Sequence, residues 1–381
     1  MGRRFWAGAL AFCLCLAGCA GAEQEPGEVS SHLLGGGSSG PEESRESEPE
    51  EGRPLSFTLQ ALPSEKVEAA LTGDGFDYTH ASPRARVLEW AGEDRLLLLT
   101  AREELLLPVE FRIFSWVPST GETTLLAGLS DPAGNLSVQG SFVREGTPYL
   151  VFNQKYNPYL LPLTPEGVDP LPLSWLNGQP SRTGLGVWTN HPDVTLYDLL
   201  EPDGTVSQFQ CQEGEQFESL SPDGDYLVFR VENKPTFAVY NREGQRVREF
   251  SPLWLAWKWC ETPGYLVYDK AGNGTTETVL ADLAGGKETT LPGGEGTPFL
   301  REPAFSLLRV LEEGGAETVE LLDHRTGERT ALDIHPREGT QGGEPLAAYD
   351  PDTATAVILY PMSSPDGGEQ QMDAYLLKLE F

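Results

Sequence analysis

Basic residues are scarce in this 381-residue chain: 27 Lys and Arg stand against 58 Asp and Glu, a formal net charge of −31. Such a surface repels phosphate backbones and anionic headgroups, so nucleic acid is not an expected partner, and the excess charge favours a soluble monomer. Histidine is rarer still, with five in all, and His32 and His80 precede the repeats described below. No Gly-x-Ser-x-Gly elbow is present, so a Ser-His-Asp set would have to assemble from distant positions; no catalytic residue is assigned. No His or Cys spacing suits zinc. Asp131-Pro132-Ala133-Gly134-Asn135 and Asp350-Pro351-Asp352 offer oxygen atoms on turns, yet neither completes a calcium loop with its distal Glu. No metal and no cofactor is expected.

Charge is also missing from Phe5 to Ala17, an apolar run that follows Arg3 and Arg4. Thirteen helical residues reach about 20 Å, short of the ~30 Å hydrocarbon core, so the run reads as the apolar part of a signal peptide. It ends in Leu16-Ala17-Gly18-Cys19, which resembles the lipobox of bacterial lipoproteins. That resemblance implies cleavage before Cys19, lipidation of its thiol, and a location on the outer side of the cell membrane, held by a lipid anchor. Residues 20–54 follow with nine Glu and the cluster Gly35-Gly36-Gly37-Ser38-Ser39-Gly40. This composition cannot bury enough surface to fold, and it reads as a disordered tether spanning very roughly 30 Å. Cys211 and Cys260 are expected to be buried thiols.

Residues 55–381 carry a repeat of about forty residues. Short apolar runs begin at residues 96, 149, 187, 226, 265, 307 and 356, among them Leu96-Leu97-Leu98-Leu99 and Tyr226-Leu227-Val228-Phe229. Runs of this length, flanked by Gly and Pro, suit strands covered on both faces. A second marker keeps the same step: glycines at 121, 167, 204, 244, 286 and 327, each in a polar turn before a β-prone run. Four strands per forty residues is the pattern of a β-propeller blade. The expected fold is all-β, with seven four-stranded blades; six or eight are the alternatives. The last repeat lacks a fourth strand, which Leu55–Gln60 near the N-terminus could supply, removing an exposed sheet edge. Ser64–Leu71 reads as a short helix capped by Ser64 and stopped at Gly73.

Leu220-Ser221-Pro222-Asp223-Gly224 is the clearest repeat, and it resembles the Ser-Pro-Asp-Gly repeats of TolB-like and tricorn-like (WD40-like) propellers. The peptidases with such propellers carry their nucleophile on a separate domain, so the resemblance implies fold more than activity. Aligned on this turn, Trp90, Trp259 and Tyr349 share one slot, which is expected to pack neighbouring blades together. On the loops where propellers bind ligands stand Tyr156, Trp175, His191, Trp254 and Phe299, aromatic or polar groups suited to a sugar or a peptide. The expected role is a membrane-anchored binding or scaffold module for an envelope protein, peptide or glycan. The alternatives are a carboxylate-based glycosidase or lyase and an envelope-assembly accessory of TolB-like type.

Overall fold

In the computed structural model, every apolar run singled out above becomes the second strand of an antiparallel meander. The chain divides into Met1–Pro49 and Glu50–Phe381. The residues described are 55–72, 76–77, 88–92, 94–104, 107–144, 146–155, 157–164, 167, 169–172, 179–181, 186–188, 195–201, 205–272, 275–293, 295–311, 317–365 and 370–381. Their strands pair into seven antiparallel sheets. Sheet I holds Leu88–Gly92, Arg95–Glu104, Leu107–Val117 and Glu122–Ser130, with Phe76–Asp77 added beyond the second strand. Sheet II holds Leu136–Arg144, Thr147–Gln154, Asn157–Pro162 and Leu171–Pro172; sheet III holds Gln179–Pro180, Gly186–Trp188, Leu196–Leu200 and Val206–Gln210. Sheet IV is Glu215–Leu220, Tyr226–Val231, Phe237–Asn241 and Arg246–Phe250, and sheet V is Trp257–Trp259, Tyr265–Ala271, Thr276–Asp282 and Lys287–Thr290. Sheet VI is Thr297–Arg301, Phe305–Leu311, Glu317–Asp323 and Arg329–Leu332.

Sheet VII draws on both ends of the described chain. Leu346–Asp350, Thr355–Ser363 and Gln370–Glu380 are followed, at the outer edge, by Ser56–Leu62, which pairs from Ser56 opposite Glu380 to Leu62 opposite Ala374. The expected outer strand is therefore supplied from the N-terminal side, and an edge that could recruit other chains is filled.

The central runs of the second strands are mostly apolar because a sheet covers each of their faces. Leu96 and Leu98 pack with Val357 and Leu359 of sheet VII, whereas Leu97 and Leu99 pack with Val138 and Phe152 of sheet II. Leu227 and Phe229 likewise face sheet III and Val228 faces sheet V. Side chains alternate across a strand, so an unbroken run of four satisfies two cores at once. Strand Gln179–Pro180 lies beside Leu136–Arg144, the side chains of sheets VI and VII share one core, and Arg301 of sheet VI pairs with Asp269 of sheet V. Each sheet thus packs on the next and the last packs on the first. The architecture is an all-β propeller.

The turns between third and fourth strands contain the expected glycines, with φ of +70° at Gly121, +68° at Gly167, +79° at Gly244, +66° at Gly286 and +73° at Gly327. Gly204 lies outside the described residues. The helix forms at Glu65–Leu71 and buries Val67 and Leu71, but the Ser64 side chain makes no capping bond. Its anchor is elsewhere: Glu68 accepts a hydrogen bond from the Met372 amide of sheet VII at 2.8 Å, and Thr100 Oγ1 donates to the Leu71 carbonyl at 3.1 Å. The expected stop at Gly73 is outside the described residues.

Candidate functional site

Strand alternation divides the connections between two faces. The upper face carries the passages from one sheet to the next and the turns between second and third strands. The lower face carries the other two turns of each sheet. The Ser-Pro-Asp-Gly turn is on the lower face, with Gly224 at φ +83°. Ser221 Oγ donates to Asp223 Oδ1 and accepts the Tyr226 amide at 2.9 Å, while the other Asp223 oxygen accepts the Gly264 amide of sheet V at 3.2 Å. From the opposite side Glu302 of sheet VI accepts the Glu261 and Thr262 amides, at 2.8 and 2.9 Å, and the Thr262 hydroxyl at 2.7 Å. The lower turn of sheet V is therefore clamped by a carboxylate from each neighbour. These acids hold the ring together and are spent on it.

The aromatic slot also joins neighbours. Trp90 Nε1 donates to the Ala348 carbonyl at 3.2 Å, Trp259 Nε1 donates to Ser219 Oγ at 3.1 Å, and Tyr349 meets Phe305 edge-on at 5.2 Å. Cys211 and Cys260 are not joined in a disulfide and lie buried in separate cores, and burial pushes the Cys260 thiol well up. The turn at Asp131 serves packing: Asp131 Oδ1 accepts the Ala133 amide at 2.9 Å, and Leu107 lies where a side chain at Gly134 would stand. Asp350 is engaged locally, accepting the Asp352 amide and the Thr353 hydroxyl. Among the described residues no group of three or more His, Cys, Asp or Glu is arranged to hold a metal ion.

One nucleophile-like pair went unread in the sequence. Ser306 Oγ lies 2.8 Å from His324 Nε2, and His324 Nδ1 lies 3.1 Å from the Pro303 carbonyl. A ring protonated at Nδ1 donates to that carbonyl and accepts the serine hydroxyl, the hydrogen-bonding order of a serine–base pair. Burial pushes the His324 pKa below its ordinary value, against the opposing influence of the Pro303 carbonyl and Asp323. Ser306 is only 3% exposed, however, and a substrate carbonyl has no approach to it. Asp323, the adjacent acid, accepts the Leu55 amide at 2.9 Å and pairs with Arg325. The pair fastens the lower turns of sheet VI. Eighteen residues separate its members, and only the pairing of Phe305 with Asp323 brings them together.

Of the residues expected on the binding face, Tyr156, Trp175 and His191 lie outside the described residues. Phe299 stands at a bulge between Pro298 and Leu300 and is half-buried against the core shared by sheets VI and VII. Trp254 is displayed. It lies in the short 3-10 turn Leu253–Leu255, on the upper-face passage from sheet IV to sheet V, and is 94% exposed. Its φ is +54° and that of Leu255 is +59°, two successive left-handed residues that both carry a Cβ. Such backbone costs on the order of 1 kcal/mol per residue, and it concentrates at functional positions. Trp257 and Trp259 of the same run turn inward, Trp257 lying 5.6 Å from Phe237 and 5.8 Å from Phe250. Leu107 and Leu311, at second-to-third-strand turns, also reach the upper face, and they are 50% and 66% exposed.

No protein-family model matches the sequence, and no curated protein aligns with it significantly. Solved structures similar to the chain include the β-propeller domain of Cps50 (Swd1) from Myceliophteria thermophila, with 11% identity, a TM-score of 0.39, and coverage of 74% of this chain and 93% of that one. The uncharacterized protein lmo1340 of Listeria monocytogenes EGD-e gives 9% identity and a TM-score of 0.42, covering 76% and 94%. The dihydro-heme d1 dehydrogenase NirN gives 14% and 0.40, covering 75% of this chain, which spans 65% of NirN's length. Likenesses of this degree concern fold alone and carry nothing about chemistry.

Proposed function

We propose that the chain is an extracytoplasmic lipoprotein, tethered through Cys19, whose seven-bladed ring is closed by its N-terminal strand and presents its upper face to a protein, peptide or glycan. The observation that carries this reading is Trp254: a large aromatic side chain held almost wholly in water on a left-handed backbone. Neither feature helps the fold. An exposed Trp forgoes the ~1.5–3 kcal/mol that burial of a large apolar side chain brings, and the turn adds strain. Interfaces, by contrast, draw much of their energy from a few Trp, Tyr and Arg residues. On the lower face, by contrast, Asp223 and Glu302 are committed to clamping neighbouring sheets.

Affinity capture from detergent-solubilised membranes tests the proposal. Wild-type protein is expected to retain a partner that Trp254→Ala loses. Unchanged recovery with that variant would remove the upper face from consideration. Recovery of a multi-protein membrane complex, and not a single ligand, would assign the protein to envelope assembly, the role that TolB-like propellers suggest.

A further inference from the structure

The strand that closes the ring is lightly held along its length and runs into a firm stop. Among the described residues Ser56–Leu62 pairs on one side only, with Gln370–Glu380. Of its own residues Leu62 alone is buried, whereas Ala356 to Met362 of the same sheet are buried without a break. Phe57 and Leu59 are half-buried against the core shared by sheets VI and VII. At the leading end, the amide of the buried Leu55 donates to Asp323 of sheet VI at 2.9 Å. At the far end, Pro63 and Ser64 lead into the helix Glu65–Leu71, whose Val67 and Leu71 are wholly buried. Glu68 accepts the Met372 amide of sheet VII at 2.8 Å, and the Leu71 carbonyl accepts the Thr100 hydroxyl of sheet I at 3.1 Å. Two sheets therefore grip the helix.

The chain before Leu55 joins the ring at the end where pairing begins, with Ser56 opposite Glu380. Tension on that chain, pulling across the strand, loads the Leu55–Asp323 bond first and then one residue pair at a time. The pairs never share the load, and each backbone bond exchanged for water contributes little by itself. Half-buried Phe57 and Leu59 add only part of what full burial brings, whereas Val67 and Leu71 must be exposed outright before the helix moves. We infer that Ser56–Leu62 is a load-sensitive clasp: tension on the preceding chain peels it from Gln370–Glu380 as far as Ser64, and the remainder of the ring stays folded. Release uncovers the outer edge of Gln370–Glu380, a row of N–H and C=O groups that is paired at rest and open to another strand under load. In the cell this inference rests on the Cys19 anchor proposed above as the source of the load; the peeling is a property of the ring alone.

Optical tweezers on the full chain test this, with one handle at the N-terminus and the other on a tag inserted beside the exposed Glu243, in a lower turn of sheet IV across the ring. A small reversible lengthening is expected before the cooperative unfolding of the ring, about 35 Å for the segment Leu55–Ser64 at ~3.5 Å per residue. Thr58 and Lys378 are exposed and directly opposed, and opposed residues of antiparallel strands lie within disulfide range. Thr58→Cys combined with Lys378→Cys should remove most of the early step when oxidised and restore it when reduced. Unfolding in a single event with no earlier step overturns the proposal. So does an early step of about 60 Å, which would carry the helix through Leu71 away with the strand, or a step that oxidation leaves unchanged. If the double-cysteine protein does not fold, the presence and length of the wild-type step decide. Lipidation of Cys19 and partner capture through Trp254 are read in separate assays, so failure of either leaves this result intact.

Discussion

Replacing Trp254 by glycine is expected to leave the propeller nearly as stable as before, while removing its hold on a partner. With the side chain 94% exposed, only about 15 Å² of a Trp surface of some 150–250 Å² is covered. At ~25 cal/mol per Å² its loss costs about 0.4 kcal/mol. Glycine relieves roughly 1 kcal/mol of strain at φ +54°, and gives back about 0.5–1 kcal/mol in unfolded-chain entropy. The sum stays within about 1 kcal/mol of zero. Truncating a Trp at the centre of an interface costs about 2 kcal/mol or more, near thirtyfold in affinity. Urea denaturation and partner binding, measured on the same preparations, separate the two effects. Trp257→Ala is the comparator: its ring fits between Phe237 and Phe250, and its removal should cost about 2–3 kcal/mol of stability. If Trp254→Gly destabilises the protein as much as Trp257→Ala does, the exposed ring is a structural element and the reasoning fails.

Glu302→Ala strips three acceptor contacts from the lower turn of sheet V and should lower stability by about 2–4 kcal/mol, with Glu302→Gln near half of that, read as a shift of the urea midpoint at constant slope. Burial holds the folded-state pKa of His324 below its ordinary 6.5, so its contribution is whole above that pH and is lost as pH falls through the folded value. Stability measured from pH 7.5 down to about 5 should therefore decline, and His324→Asn should flatten the decline. Cys19→Ser should abolish incorporation of labelled palmitate and move the protein from the membrane to the soluble fraction.

The strands were legible because their packing is doubly constrained. Leu96 to Leu99 must satisfy a core on either side, and no polar residue is tolerated in the run. The turn glycines were legible because left-handed backbone favours one residue type. What stayed hidden depends on contacts between repeats. Ser64 reads as a cap from its local pattern, yet the helix is held by Glu68 reaching Met372, 304 positions away. Asp223 reads as a turn residue, and nothing local reveals that its second oxygen crosses to Gly264, 41 positions on. The spacing of Trp254, Trp257 and Trp259 likewise says nothing of which ring faces water.

Function in such a ring is best sought where the repeat is broken. Trp90, Leu220, Trp259 and Tyr349 occupy matching register positions, opposite Leu96, Leu227, Leu266 and Ala356, and each is accounted for by contacts with the sheets around it. The position one residue earlier holds Ser219, Lys258 and Ala348 in three sheets, and in sheet I it holds Glu89. A hydroxyl, an exposed amine and a methyl group stand there, and the buried Glu89 carboxylate that replaces them in sheet I accepts the Ser141 hydroxyl of sheet II. Trp254 departs from its neighbours in the same sense, because the passage from sheet III to sheet IV is the polar Cys211-Gln212-Glu213-Gly214. Contacts between sheets account for the recurring residues and for Glu89, and leave the departure at Trp254 to be accounted for by a ligand.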